Sequence, residues 1–156
     1  MLSELFDDIY KKFKLNFYKG IFKGFEDREA SLTSTEIFCV EVINALIMPT
    51  ITELAEFMEV SGPNMAYRVA KLTRKGYVNK IQSEDDKREY YLEVTDKFYK
   101  YYDVRNQYIK TVLDRVVEKF PEEDIDVLTH ILNIMSNELM PEVTNFMDSL
   151  KSKRTD

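Results

Sequence analysis

Residues 50–95 decide the fold of this chain. They read TITELAEFMEV, then SGPNMAYRVAKLTRKGYV, then NKIQSEDDKREYYLEVT. Thr50 and Glu53 have the spacing of a capping box, in which each side chain bonds a free backbone group at a helix start, and Thr33 and Glu36 repeat this spacing. Ser61 is suited to cap a second helix. The stretch therefore predicts two short helices about three residues apart, which is the spacing of a helix-turn-helix.

The second predicted helix has two different faces. Met65, Val69 and Leu72 form one apolar stripe. The opposite stripe carries polar side chains, namely Asn64, Tyr67, Arg68, Lys71 and Lys75. Every charged residue over 61–80 is basic, whereas every charged residue over 31–60 is acidic. A helix that faces a polyanion such as DNA needs this segregation, although a basic face that is simply solvated fits the same pattern.

A charged hairpin follows the helices. Residues 78–81 and 90–94 predict two strands, the second by its alternation of apolar and polar side chains. A hairpin tip that exposes Lys87 and Arg88 can reach a minor groove, where a cation is attracted. An acid of the turn can pair with Arg88 and hold it extended, while the simpler interpretation is a solvated polar turn.

Four motifs carry a family resemblance. They are LTSTE at 32–36, ELA at 53–55, LTRKGYV at 72–78, and DKR at 86–88 followed by LEVT at 92–95. In order and spacing they resemble the MarR (multiple antibiotic resistance regulator) family of winged-helix transcription factors. The resemblance implies a homodimer that binds a pseudo-palindromic operator in double-stranded DNA, usually as a repressor released by a small ligand, a metal or an oxidant. It also implies a recognition helix from Ser61 to Lys75 in the major groove, with Arg88 at the minor groove and Asp86 as its anchor.

The chain departs from the family at the recognition helix and at the wing. Tyr67 stands where arginine is frequent, and Arg68 stands where the family has a hydrophobic or small residue. Asp85 replaces a residue that is frequently basic, and Ser83 one that is frequently acidic. We expect base edges to be approached by Asn64, Tyr67, Arg68 and Lys71. We expect phosphate contacts from Ser61, Arg74 and Lys75, and wing contacts from Lys87 and Arg88.

Helical segments flank the winged region. Apolar spacing predicts a first helix from Leu2 to about Tyr18, before Gly20. A long helix after Thr95 and a further helical region, kinked or divided at Pro141, complete the chain. The predicted fold is mainly α with a small β-wing, in a single domain over 1–156. Its winged helix-turn-helix region covers 32–95, and the helical regions over 1–30 and 96–150 carry apolar stripes broad enough to predict an intertwined dimer.

Aromatic residues mark a candidate ligand pocket. The resemblance implies a pocket between the long helix, the first helix and the wing domain. Its candidate lining is Phe13, Phe17, Phe38, Tyr99 and Tyr102. Aromatic side chains at such intervals belong to a core more often than to a ligand site, so both interpretations stay open.

Composition excludes several classes of function. One histidine and one cysteine cannot supply a conventional metal site or a cysteine–histidine pair, and no glycine-rich phosphate loop is present, so we expect no enzyme, metal or cofactor. Cys39 fits a small core residue, and His130 a helix-surface or interface residue. No apolar run is long enough to cross a bilayer and no basic signal-peptide start is present, so we expect a cytoplasmic protein.

Two other functions remain open. The net charge of −6 argues against a general DNA-coating protein. Together with Asp85 in the wing, it motivates a dimeric winged-helix module that binds a protein partner without binding DNA. A small-molecule carrier built on the aromatic pocket is the remoter alternative.

Overall fold

The computed structural model describes residues 1–24 and 32–153, and it describes only the backbone of residues 21–24, 101, 102, 104 and 105. The chain divides into two compact units. The helical unit joins Met1–Asn16 to the segment that begins at Val104, and the winged-helix unit is Phe17–Asp103. Among the described residues, no helix is both long enough and apolar enough to span a membrane.

Over residues 32–95, the winged-helix unit contains three helices and a hairpin. Its elements are α2 (Ser34–Leu46), α3 (Ile51–Phe57), α4 (Gly62–Arg74), β1 (Val78–Gln82) and β2 (Tyr90–Val94). Helices α2 and α3 pack on α4, and β1 and β2 pair antiparallel with Val78 opposite Val94. This is the helix-turn-helix and wing that the sequence predicts, in a mainly helical fold.

Side-chain caps define where the three helices begin. Thr33 accepts from the backbone N–H of Glu36, and the Glu36 carboxylate accepts from the N–H of Thr33, which completes a capping box. Thr50 and Glu53 form a second one. Ser61 accepts from the backbone N–H of Asn64 at 3.3 Å. Each cap satisfies donors that have no partner within the helix, and all three were predicted from the sequence.

The loop before α3 extends the small sheet. The backbone N–H of Leu92 donates to the Pro49 carbonyl at 2.8 Å, and Thr50 forms an isolated bridge with Tyr91. Strand β2 therefore lies between β1 and this short segment. The bridge fixes the hairpin to the start of α3.

The core of the winged-helix unit is formed by the inner faces of α2 and α4 and by the sheet. Cys39, Ile43, Met65 and Leu92 are almost completely buried. The spacing of Leu54, Phe57 and Met58 predicts one apolar face for the helix at α3, and the structure buries Leu54 completely, together with Ala55, while Phe57 and Met58 are half-buried.

The helical unit consists of the helices at the two ends of the chain. Helix α1 is Leu2–Gly24 and α5 is Asp96–Lys119, and both run on into the winged-helix unit; α6 is Glu122–Glu138 and α7 is Pro141–Ser152. The predicted interruption of α1 at Gly20 is wrong, because an interior glycine costs a helix only about 1 kcal/mol and need not end it. The predicted division at Pro141 is confirmed, since α7 begins there.

Candidate nucleic-acid interface

Helix α4 presents a polar face to solvent because its apolar face is fully used. Met65, Val69 and Leu72 are completely buried, as the sequence predicted, and this fixes the rotation of the helix about its axis. The exposed side chains at the other face include Ser61, Asn64, Tyr67 and Arg74, whereas Arg68 and Lys71 are half-buried. The predicted base-reading residues thus share the outer side of one rigid helix.

Two pairs of side chains on α4 hold each other in place. The Nε–H of Arg68 donates to Asn64 Oδ1 at 2.9 Å. The Nζ of Lys71 lies 4.7 Å from the ring centroid of Tyr67, a cation–π contact. Both pairs join residues four positions apart, which are neighbours on a helix surface. The four residues predicted to approach base edges are therefore paired with one another.

Lys75, predicted to contact phosphate, has a partner inside the protein. Its Nζ lies 2.7 Å from Oε2 of Glu36, a carboxylate that is almost fully buried. Burial raises the pKa of Glu36, but the hydrogen bonds from Lys75 and the Thr33 N–H outweigh it and leave the pKa below its ordinary value. A phosphate contact of Lys75 stays a prediction. It would require the ammonium to bind the phosphate together with this carboxylate, or to move away from the carboxylate.

The C-terminal end of α4 is also tied to the start of α5. Lys97 Nζ donates to the Lys75 carbonyl at 3.0 Å and lies 4.7 Å from the ring centroid of Tyr77. The Thr95 hydroxyl donates to the Gly76 carbonyl at 2.6 Å. Gly76 has φ +79°, the left-handed conformation that ends many helices. Lys97 was not predicted from the sequence, in which its only signal is a cation in the first turn of α5.

At the tip of the wing, Asp86 holds the side chain of Arg88. Asp86 Oδ1 accepts from the backbone N–H of Arg88 at 2.9 Å and from its Nε at 3.1 Å, while Oδ2 accepts from Nη2 at 3.1 Å. The Arg88 side chain is nevertheless 91% exposed. Hydrogen bonds to Arg88 lower the pKa of Asp86, and those to Asp86 raise the pKa of Arg88. The clamp thus presents an ionised guanidinium to solvent.

The turn that carries this clamp is closed by its own hydrogen bonds. The buried Ser83 accepts from the backbone N–H of Asp86 at 3.3 Å, and its own N–H donates to the Glu89 carbonyl at 3.0 Å. Gln82 Nε2 donates to the Lys87 carbonyl at 2.7 Å. Ser83, noted from the sequence only as a departure from the family, is therefore a structural residue. Lys87 and the acid Asp85 are both exposed beside the clamp.

The predicted ligand-pocket residues are divided between the two units. Phe13 belongs to the helical unit, where its ring meets Tyr108 edge-on with 5.8 Å between centroids. Phe17, Phe38 and Tyr99 belong to the winged-helix unit, and Phe38 and Tyr99 are 53% and 43% exposed. The side chain of Tyr102 lies outside the described residues. The pocket stays a prediction.

An open pocket of about 410 Å³ lies at the base of the wing. Its lining includes Tyr99, with Gly76, Glu93 and Lys97. It is largely polar, which does not match the aromatic pocket expected from the sequence.

Cys39 is a core residue, as predicted. It is completely buried on α2, and burial raises the pKa of its thiol. The segment 31–60 around Cys39 contains only acidic charges, but the positive charge of Arg68 on α4 also acts on the thiol and partly offsets that rise, while Glu36 adds to it. Within the described ranges, no group of three or more His, Cys, Asp or Glu side chains is arranged to hold a metal ion.

The helix-turn-helix, its basic helix and the wing clamp are the parts of a winged-helix DNA reader. The family model named MarR matches residues 32–90. This segment is a MarR-family domain. MarR-family proteins are non-enzymatic, DNA-binding regulators of transcription, and residues 32–90 carry their domain.

Solved structures agree with the MarR assignment at the level of the fold. The chain is similar to the transcriptional regulator Tm0710 of Thermotoga maritima, with 16% identity over 88% of this chain and 96% of that one and a TM-score of 0.65. It is similar to a MepR mutant from a multidrug-resistant S. aureus clinical isolate, with 17% identity, coverages of 90% and 98%, and a TM-score of 0.64.

A third similar structure was solved with DNA. It is FabT of Streptococcus pneumoniae in complex with DNA, with 19% identity, coverages of 89% and 97%, and a TM-score of 0.57. No curated protein matches the chain in sequence. At these identities the solved structures establish the MarR fold, and the particular function has to be argued from the residues.

Proposed function

We propose that this protein is a homodimeric, sequence-specific regulator that binds a pseudo-palindromic operator and represses the adjoining promoter. The observation that carries the proposal is the division of α4 into a fully buried apolar face and an outer face bearing Asn64, Tyr67, Arg68 and Lys71. A helix fixed in this way can enter a major groove with its side chains already oriented.

Phosphate contacts from both ends of α4 would set its position on the duplex. Ser61 at the start of the helix and Arg74 in its last turn are both exposed. Within the described part of the chain, the side chain of Arg74 makes no hydrogen bond or ion pair, so its charge is available to a phosphate. Lys75 adds a third contact if its ammonium binds a phosphate and the Glu36 carboxylate at the same time. Such contacts fix register and orientation but carry no sequence information.

The wing would add a contact in the minor groove. The clamp of Asp86 holds Arg88 extended and exposed, and Lys87 lies next to it. A narrow A·T-rich minor groove has an enhanced negative potential and attracts such a guanidinium. Since the side chain is already ordered, less entropy is lost when it binds.

The helical unit supports the homodimer. Helix α6 has no buried residue, although it carries Leu128 and Ile131, and Leu5 and Ile9 of α1 are also more than half exposed. Apolar residues exposed on this scale are typical of a surface that another chain covers. A two-fold dimer would set two copies of α4 about 34 Å apart, one turn of DNA.

Repression and its relief are the finer parts of the proposal. We propose a small hydrophobic or aromatic effector, because Phe38 and Tyr99 expose large aromatic surfaces in the winged-helix unit. We propose the cytoplasm as the location, since the partner is DNA. Effector candidates are compounds that raise the melting temperature of the protein and also release it from its operator.

The test is selection of bound duplexes from a random 30-base-pair library, followed by titration of the selected sequences at several salt concentrations. We expect an inverted repeat whose half-sites are about ten base pairs apart. A reporter promoter that carries this repeat should be silenced when the protein is produced. Weak binding without a preferred sequence would contradict the proposal and favour the module that binds a protein partner.

A further inference from the structure

The hydrogen bond between Arg68 and Asn64 fixes the orientation of both side chains. Arg68 Nε is always a donor, so the group of Asn64 that faces it at 2.9 Å has to be the amide oxygen. The amide nitrogen then points away from Arg68. Arg68 is half-buried, which restricts its stem, and Asn64 is exposed.

The pair consequently presents mainly hydrogen-bond donors to a ligand. The oxygen of Asn64 already accepts from Arg68, so the groups that remain are the amide N–H groups of Asn64, the terminal N–H groups of the guanidinium and one lone pair of that oxygen. A free asparagine can turn its acceptor and its donor together toward adenine N6 and N7. Pairing with Arg68 fixes the direction of the amide and uses half of its acceptor capacity, which disfavours that contact.

Among the four bases, guanine fits a donor-rich surface best. In the major groove guanine offers two adjacent acceptors, O6 and N7. Adenine and cytosine each present an amino donor, which a guanidinium cannot accept, and thymine offers one acceptor beside a methyl group. We propose that Arg68, positioned by Asn64, binds O6 and N7 of one guanine in each half-site. This inference rests on the proposed function and adds the base that is read.

Asn64 acts here as a positioning residue. An arginine side chain has many rotamers, and ordering it on binding lowers affinity. The hydrogen bond to Asn64 restricts the guanidinium before DNA arrives. Lys71, the nearest other cation on the outer face, is held instead over the ring of Tyr67 and serves as the matched control.

The experiment uses the selected operator with each guanine replaced in turn by 7-deazaguanine, which lacks the N7 acceptor. Affinity is measured by fluorescence anisotropy for the wild type and for Arg68→Ala, Asn64→Ala, Asn64→Asp and Lys71→Ala. We expect one guanine per half-site at which the replacement weakens the wild type about tenfold. The same replacement should cause no loss of affinity for Arg68→Ala, whereas Lys71→Ala should still lose about tenfold.

The Asn64 variants separate positioning from direct contact. Asn64→Ala should reduce the penalty for 7-deazaguanine, while Asn64→Asp, which keeps an acceptor for Arg68, should retain it. Melting temperatures show that each variant is folded. If no guanine of the operator can be replaced with a loss of affinity, or if Arg68→Ala loses as much affinity as the wild type, the guanine contact is overturned while the proposed function stands. Failure to select any operator overturns the proposed function and this inference with it.

Discussion

The ammonium of Lys75 lies 2.7 Å from the carboxylate of Glu36 and joins the end of α4 to the start of α2, 39 positions earlier. The same carboxylate caps α2 by accepting from the Thr33 N–H at 2.8 Å. One buried acid thus orients two helices. Because the carboxylate would otherwise be buried without a counter-charge, loss of Lys75 should affect folding as well as any contact with DNA.

The first prediction concerns this pair. In a double-mutant cycle of Glu36→Gln and Lys75→Met, we expect a coupling energy of about 1–2 kcal/mol at pH 7, less than a fully buried pair because the lysine is partly exposed. The Gln variant keeps an oxygen for the capping box. The measurement is urea unfolding of the four proteins, and purely additive effects would contradict the assigned pair.

The pH dependence of Glu36 gives the second prediction. Its pKa is lowered in the folded protein, so the unfolded chain takes up the proton first as the solution is acidified. The stabilisation is therefore complete above the ordinary value of about 4.3 and is lost as the pH falls through the folded pKa. The difference in melting temperature between wild type and Glu36→Gln should shrink below about pH 4. A constant difference down to pH 3 would be inconsistent with this carboxylate as its source.

The third prediction tests the phosphate contacts. Arg74→Ala should weaken binding to all DNA sequences alike and flatten the slope of log affinity against log salt by about 0.9, the value for one phosphate. Its exposed side chain makes a loss of stability above about 0.5 kcal/mol unexpected. Glu56→Gln, a change of one charge unit at an exposed position of α3, is the control for long-range charge effects. The two slopes should differ, and equal slopes would argue against a direct contact by Arg74.

The fourth prediction concerns the wing. Asp86→Ala should weaken operator binding nearly as much as Arg88→Ala, and the double variant should be little worse than either, because Asp86 acts through the guanidinium that it holds. Asp85→Ala, the matched control, removes an acid that makes no such clamp and should leave binding unchanged or stronger. If Asp86→Ala behaves like Asp85→Ala, the carboxylate serves only as a repulsive charge. Stability should hardly change, because Asp85 and Arg88 are exposed and Asp86 is only half-buried.

The fifth prediction tests the homodimer. Leu128→Asp combined with Ile131→Asp, both on exposed positions of α6, should shift the protein to monomers in sedimentation velocity, since a charge at an apolar interface is costly to bury. Thr129→Asp, on the same helix, should leave the sedimentation coefficient unchanged. A dimer that withstands the double substitution would mean that α6 takes no part in association.

Local patterns predicted most of the winged-helix unit. The caps at Thr33, Thr50 and Ser61 and the apolar stripe of α4 depend on residues three or four positions apart, which the sequence displays directly. The strand pairing followed from alternation over a few residues. These features are local, so no tertiary information was needed to find them.

Contacts between distant segments could not be predicted in this way. Glu36 was recognised as a capping residue, but its pairing with Lys75 depends on how α2 crosses α4. The donation from Lys97 to the end of α4 likewise depends on the turn at Gly76. The positive φ angles of Ile47 and Met48 break the usual preference of such residues, so no propensity rule anticipates them.

The separation of the two faces of α4 bears on how such a protein can be retargeted. The side chains that fold the helix, Met65, Val69 and Leu72, are different from those offered to a ligand, and substitutions at the outer positions disturb little of the core. The outer residues can therefore be replaced as a set while the buried residues are kept. In protein engineering, and in divergence after gene duplication, the DNA sequence that is bound can change without a change in stability.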